Sequence, residues 1–241
     1  MQPYLTQLDT AAKSFAQVLA HGDLAAPVSA CPAWTLAELG DHLGGIHQWA
    51  RHAVVAGTGD GEPTPAPPDR DGLVQWYQDS AGALLSTLRG TDPATPVWAF
   101  GPKPRVAAFW HRRQAHETTI HLWDAESSQG AAAPIDKELA GDGIDELLTV
   151  FFPRQVRLNR IPALESSLAI SAADLDERWV LAGDGLGPTS ARDASADATV
   201  TGPAEALYLL LWHRIGLDDP RLRVDGDEQA ALSVLNSDLT P

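Results

Sequence analysis

Residues 112–124 read Arg112-Arg113-Gln114-Ala115-His116-Glu117-Thr118-Thr119-Ile120-His121-Leu122-Trp123-Asp124, and the fold is read outward from them. As a helix, this segment stacks Glu117 and His121 on one face, one turn apart, with about 6 Å between Cβ atoms. A carboxylate and an imidazole at that distance can close on one metal ion. Arg113 and Asp124 fall on the same stripe. A charged stripe also reads as a solvated face, but Trp110, Ile120 and Trp123 surround this one. A third ligand candidate, His42, lies in the helical pattern Leu36 to Trp49, on a face shared with Leu39, Ile46 and Trp49, which points it into a bundle. Two His and one Glu leave a coordination position open, as catalytic rather than structural sites do. Helical bundles place such ligands on facing helices.

The surrounding pattern supports the bundle. Over 4–20, Leu5, Leu8, Ala12, Phe15, Val18 and Leu19 recur at helical spacing. Thr35 followed by Glu38 is a capping box opening a second helix that runs to about Ala56. A connection rich in Gly and Pro covers 57–69, a third helix covers 70–89, and the fourth covers 105–126. A further helix spans 136–158, with Pro153 kinking or ending it. Beyond Pro162 the period changes. Residues 167–171, 178–181, 198–201 and 222–224 read as short strands. Between them a helix runs from Gly202-Pro203 to about Ile215, and Asp227 caps a last helix to about Asn236. The expected fold is α+β: a four-helix bundle in a domain over 1–157, and a smaller α+β domain over 158–241.

Composition narrows the function. With 44% hydrophobic residues, the 241-residue chain can bury a real core, and its net charge of −15 argues against nucleic acid and anionic membrane surfaces. The single cysteine, Cys31, excludes a disulfide framework, a thiolate-cage zinc site and an iron–sulfur cluster, and points to the cytoplasm. No signal peptide or membrane-spanning run is apparent. There is no Gly-x-Ser-x-Gly elbow, no Gly-x-Gly-x-x-Gly turn and no Walker loop. His116 and Glu117 start like a zincin motif, but the next His is five residues beyond His116 and faces another way. His47 and His52 are further ligand candidates that read as exposed, and Cys31 beside Pro32 reads as a buried inert thiol.

Two stretches then carry a resemblance. Cys31-Pro32-Ala33-Trp34-Thr35 with Leu39-x-x-His42-Leu43, and Arg113-x-x-x-Glu117-x-x-x-His121-x-Trp123-Asp124-Ala125-Glu126, resemble the mycothiol-dependent maleylpyruvate isomerase family. The tail, Ala198-Thr199-Val200-Thr201-Gly202-Pro203-Ala204 running into Leu209-Leu210-Leu211-Trp212-His213-Arg214, is similar to that family's C-terminal domain. The resemblance covers nearly the whole chain and implies a DinB-like metal-binding bundle joined to an α+β domain. It implies a divalent ion, usually zinc, on His42, Glu117 and His121. It also implies mycothiol, the low-molecular-weight thiol of actinobacteria, as the second cofactor. Thiol addition to a cis double bond would permit rotation before elimination, and an arginine of the tail domain, matched here by Arg214, would hold a substrate carboxylate. His213 stands where the pattern leads one to expect a small residue.

The expected function is a metal- and mycothiol-dependent enzyme, an isomerase or thiol S-transferase acting on a small electrophile through a metal-bound thiolate. The alternative is a metal- or small-ligand-binding module without catalysis.

Overall fold

The computed structural model describes residues 1–185 and 194–240. They form two compact units, Met1–Ala133 and Pro134–Pro241. The first holds four long helices: α1 (Gln2–His21), α2 (Leu36–Val55), α3 (Arg70–Gly90) and α4 (Ala108–Ser128). Helix α1 packs on α3 and α4, and α2 packs on the same two. Consecutive helices α1 and α2 are therefore diagonal, while α2 and α4 are neighbours. That neighbourhood is what lets a residue on each share one site.

The core has two layers. One gathers Phe15, Leu19, Leu39, Leu43, Leu73 and Tyr77; the other gathers Leu8, Ala53, Leu84, Leu88 and Trp110. These are the positions that the helical spacing selects. The N-terminus of α2 is fixed by the expected capping box: the Thr35 hydroxyl accepts from the Glu38 N–H, and the Glu38 carboxylate accepts from the Thr35 N–H at 2.6 Å.

In the second unit, α5 (Lys137–Glu146) runs through a π-helical turn, Leu147–Phe151, into α6 (Phe152–Arg157). Pro153 sits in the first turn of α6, directly after the π-helical turn, and the helical path continues through it. Helix α5 packs on α7 (Ala204–Leu211), which is why this helical stretch falls with the second unit and the division lies upstream of the expected 157/158 boundary.

The sheet has the order β2-β1-β3-β4, from β1 (Leu164–Ala172), β2 (Glu177–Gly183), β3 (Ala198–Gly202) and β4 (Arg223–Gly226). Strand β1 is antiparallel to β2 and parallel to β3, with Ile170 opposite Val200. Helix α8 (Glu228–Leu235) packs on β1 and β3, and Asp227 caps it by accepting from the Gln229 and Ala230 N–H groups. All four expected strands are present. Helix α7 ends at Leu211, four residues short of expectation, because His213 adopts φ 58° and turns the chain out of the helix. That left-handed conformation suits glycine best, which gives a physical reason to expect a small residue there. Among the described residues no helix is long and apolar enough to cross a membrane.

Candidate metal centre

His42 projects from the second turn of α2, and Glu117 and His121 project from α4 one turn apart. The structure brings the three together: Glu117 Oε1 lies 3.6 Å from His42 Nε2 and 3.4 Å from His121 Nε2. One donor atom from each falls within 4.8 Å of the others, and this is the one such group of His, Cys, Asp or Glu among the described residues. The imidazole planes stand nearly perpendicular, at 81° with centroids 5.2 Å apart.

Each donor is held from behind. Arg113, almost wholly buried, donates Nη2 to Glu117 Oε2 at 2.7 Å. The other carboxylate oxygen is left to face the histidines. Asp124, also buried, lies 3.0 Å from His121 Nδ1, which fixes that ring with Nε2 toward Glu117. The Trp34 indole lies against the His42 ring, centroids 4.5 Å apart. His42 keeps the most open side chain of the three, 29% exposed against 16% for Glu117 and 10% for His121.

The electrostatics follow from this arrangement. Burial alone would raise the Glu117 carboxyl, but the Arg113 guanidinium and hydrogen bonds from His121 and His42 hold it well below the usual carboxylate range. Burial alone would lower His121, but hydrogen bonds to Asp124 and Glu117 lift its imidazole to about 9. The donor set is two imidazole nitrogens and one carboxylate oxygen, oriented by outer partners. It fits a divalent ion, and zinc in particular accepts such a set with a position left open.

The histidines outside the triplet go elsewhere. His47 was expected to be exposed but is buried. It points from α2 into the bundle, its Nε2 2.9 Å from the Thr118 hydroxyl. Burial, the largest influence, pushes its imidazole down to about 3. His52 is half-buried and pairs with Thr58 and Asp60 of the Gly/Pro connection. His116 is buried against the edge of Tyr4. Cys31 is half-buried and packs against the edge of the core rather than within it. In the second unit, Arg214 follows the left-handed His213; its Nη1 donates to the Trp212 carbonyl at 2.7 Å, and its guanidinium lies 5.8 Å from the centroid of the Trp212 ring.

The family model described as the mycothiol maleylpyruvate isomerase N-terminal domain matches residues 5–126, and that of the MDMPI C-terminal domain matches 138–233. The chain belongs to the mycothiol maleylpyruvate isomerase family. Two solved structures share its fold. The crystal structure of the mycothiol-dependent maleylpyruvate isomerase superposes with a TM-score of 0.64 at 15% identity, covering 93% of this chain and 92% of that one. A histidine-to-alanine mutant of that isomerase gives 0.60 at 15% identity, covering 87% of each. No curated protein matches the chain. The two maleylpyruvate isomerase domain matches end and begin on either side of the junction between the two compact units.

The residues that sequence reasoning underused are Arg113, Asp124 and Trp34. Arg113 and Asp124 stood on the stripe, four residues before Glu117 and three after His121, the spacings at which helical side chains meet. Nothing in the sequence of Trp34 signals its place against His42, since that contact depends on how the turn at 28–35 folds back on α2.

Proposed function

We propose that this protein is a metal- and mycothiol-dependent enzyme, an isomerase or thiol S-transferase acting on a small electrophilic substrate. The observation that carries the reading is the convergence of His42, Glu117 and His121 within 4.8 Å, with one Glu117 oxygen held off by Arg113. Membership of a mycothiol-dependent isomerase family supports the choice of thiol. When bound, a divalent ion such as zinc would lower the pKa of a thiol, and mycothiol would supply the sulfur nucleophile for addition to and elimination from the substrate's double bond.

The chain's own residues have separable roles in this reading. His42, Glu117 and His121 would hold the ion. Arg113 keeps Glu117 ionised and turned, and Asp124 keeps His121 in the tautomer with Nε2 free. Arg214 receives a substrate carboxylate, a task suited to the fork of a guanidinium, with Trp212 bracing it from one side. The low cysteine content fits a cytoplasmic location.

The test combines elemental analysis with mycothiol binding and mycothiol-dependent turnover of maleylpyruvate and other cis-alkene acids. About one divalent ion per chain is expected, lost in His42→Ala, Glu117→Ala and His121→Ala together with turnover. An ion without any thiol binding would leave a metal-binding module. An ion whose loss left thiol-dependent turnover intact would make the site structural.

A further inference from the structure

His42 also lines a recess of about 480 Å³ between α2 and the connection that follows it. Its other walls are Asp41, Gly45, Ile46 and Trp49 of α2, with Pro63, Thr64 and Pro65. The three loop residues belong to the Gly/Pro connection between α2 and α3. That connection is fastened down. The Ala66 N–H donates to Asp41 Oδ1 at 2.9 Å, and the Thr64 N–H and hydroxyl donate to Gln48 Oε1 at 2.9 and 3.1 Å. Trp49 Nε1 donates to the Gly59 carbonyl at 2.9 Å. The recess is thus walled by a connection hydrogen-bonded to α2 at Asp41, Gln48 and Trp49, and it opens beside the most exposed ligand of the triplet.

Gly45 is the informative residue. Glycine weakens a helix interior, so three in one helix need reasons. Two of them have packing reasons: a Cβ on Gly44 would collide with the Trp76 ring, and one on Gly40 would come within 2.9 Å of Leu19 Cδ2. Gly45 has none, because its Cβ would meet only Pro63, at 3.4 and 3.6 Å. What the missing side chain does is leave the recess floor open.

We infer that this recess receives the sugar part of the low-molecular-weight thiol whose sulfur reaches the His42, Glu117, His121 site; the inference rests on the function proposed above. The chemistry of the walls selects the ligand class. Trp49, Pro63 and Pro65 offer flat apolar surfaces for the C–H faces of a ring, and the exposed Asp41 carboxylate can accept from hydroxyls. No lysine or arginine lines the recess among the described residues, and Asp41 repels carboxylates. An uncharged polyhydroxyl thiol fits such walls, and an anionic peptide thiol such as glutathione does not.

The experiment measures dissociation constants of mycothiol, cysteine and glutathione for the zinc-loaded full chain by calorimetry, in wild type, Gly45→Leu and Gly45→Ala. Wild type is expected to bind mycothiol at least ten-fold tighter than cysteine, and glutathione no tighter than cysteine. Gly45→Leu should abolish the mycothiol advantage while zinc content and the cysteine constant stay as in wild type. Gly45→Ala, which adds one methyl at ordinary contact distance from Pro63, should lose part of it with no fall in melting temperature. If both variants keep the full preference for mycothiol, or if glutathione binds as tightly as mycothiol, the subsite assignment is overturned and the metal–thiol reading stands. Equal losses for mycothiol and cysteine also overturn the assignment, since the sugar would then not be what Gly45 accommodates. If the zinc-loaded wild type binds neither mycothiol nor cysteine, the proposed function fails and the inference falls with it.

Discussion

Arg113 donates to Glu117 Oε2 at 2.7 Å, one turn along the same helix, and this contact decides which carboxylate oxygen faces the histidines. The pair is largely buried, so it differs from the surface i, i+4 pairs that contribute only tenths of a kcal/mol. Removing one partner leaves the other charge in a poor solvent. Arg113→Met is therefore expected to cost about 3 kcal/mol of stability, read from urea unfolding. Glu117→Gln in the same chain should recover a good part of the loss. Additive losses in the double variant would mean that the two residues do not depend on each other.

Asp124 acts one shell further out. It lies 3.0 Å from His121 Nδ1 and has almost no exposed surface. Partners of this kind set the tautomer and basicity of a ligating imidazole, and their loss weakens metal affinity by roughly 10–100-fold. Asp124→Asn should give that loss in a zinc competition titration, with helix content by circular dichroism unchanged. Wild-type zinc affinity in Asp124→Asn would remove Asp124 from this role.

Much of this was legible in the sequence for identifiable reasons. The four helices declare themselves because Leu8, Phe15, Leu39, Leu84 and their neighbours recur at the period of a helix. Glu117 and His121 sit four apart, so local geometry joins them. His42 is different, because only the topology, with α2 and α4 adjacent, brings it to them, and no local spacing encodes that. The expected division at 157/158 follows the change of period beyond Pro162, whereas the compact units divide at Ala133/Pro134, because the packing of α5 on α7 is a long-range fact that no local spacing encodes. His47 read as exposed because a polar residue on a helix is usually solvated. Its burial follows from the packing of α2 on α4, where the Thr118 hydroxyl meets its Nε2.

That burial makes His47 an acid-sensitive element. Its folded pKa, about 3, lies below the ordinary 6.5, chiefly through burial. His121 and His42 push in the same direction and Glu117 opposes them, while the Tyr77 ring packs 5.6 Å away. The unfolded chain therefore takes up this proton first. The stabilisation is full above pH 6.5 and is lost as pH falls toward 3, at about 1.4 kcal/mol per pH unit from this group. His47→Asn should be less stable than wild type at pH 7.5, because the contact with Thr118 changes, but its stability should fall less steeply between pH 6.5 and 4.5. Parallel slopes in urea unfolding across that range would exclude His47 as the source.

Gly44 and Gly45 are neighbours in α2 with opposite expected responses to one methyl group. Alanine favours a helix interior over glycine by about 1 kcal/mol, and that gain is the same at both positions. At Gly44 the new Cβ would overlap the Trp76 ring, whose Nε1 is tied to the Thr64 hydroxyl at 3.2 Å, so the ring cannot retreat without releasing the loop. Overpacking of this kind costs about 1–3 kcal/mol, which outweighs the helix gain. At Gly45 the Cβ reaches Pro63 at ordinary contact distance, so the helix gain survives. Gly44→Ala should melt several degrees below wild type and Gly45→Ala at or above it, by differential scanning calorimetry. A matching fall in both would mean that the space beside Gly45 is filled in the folded protein, and that its glycine answers to packing after all.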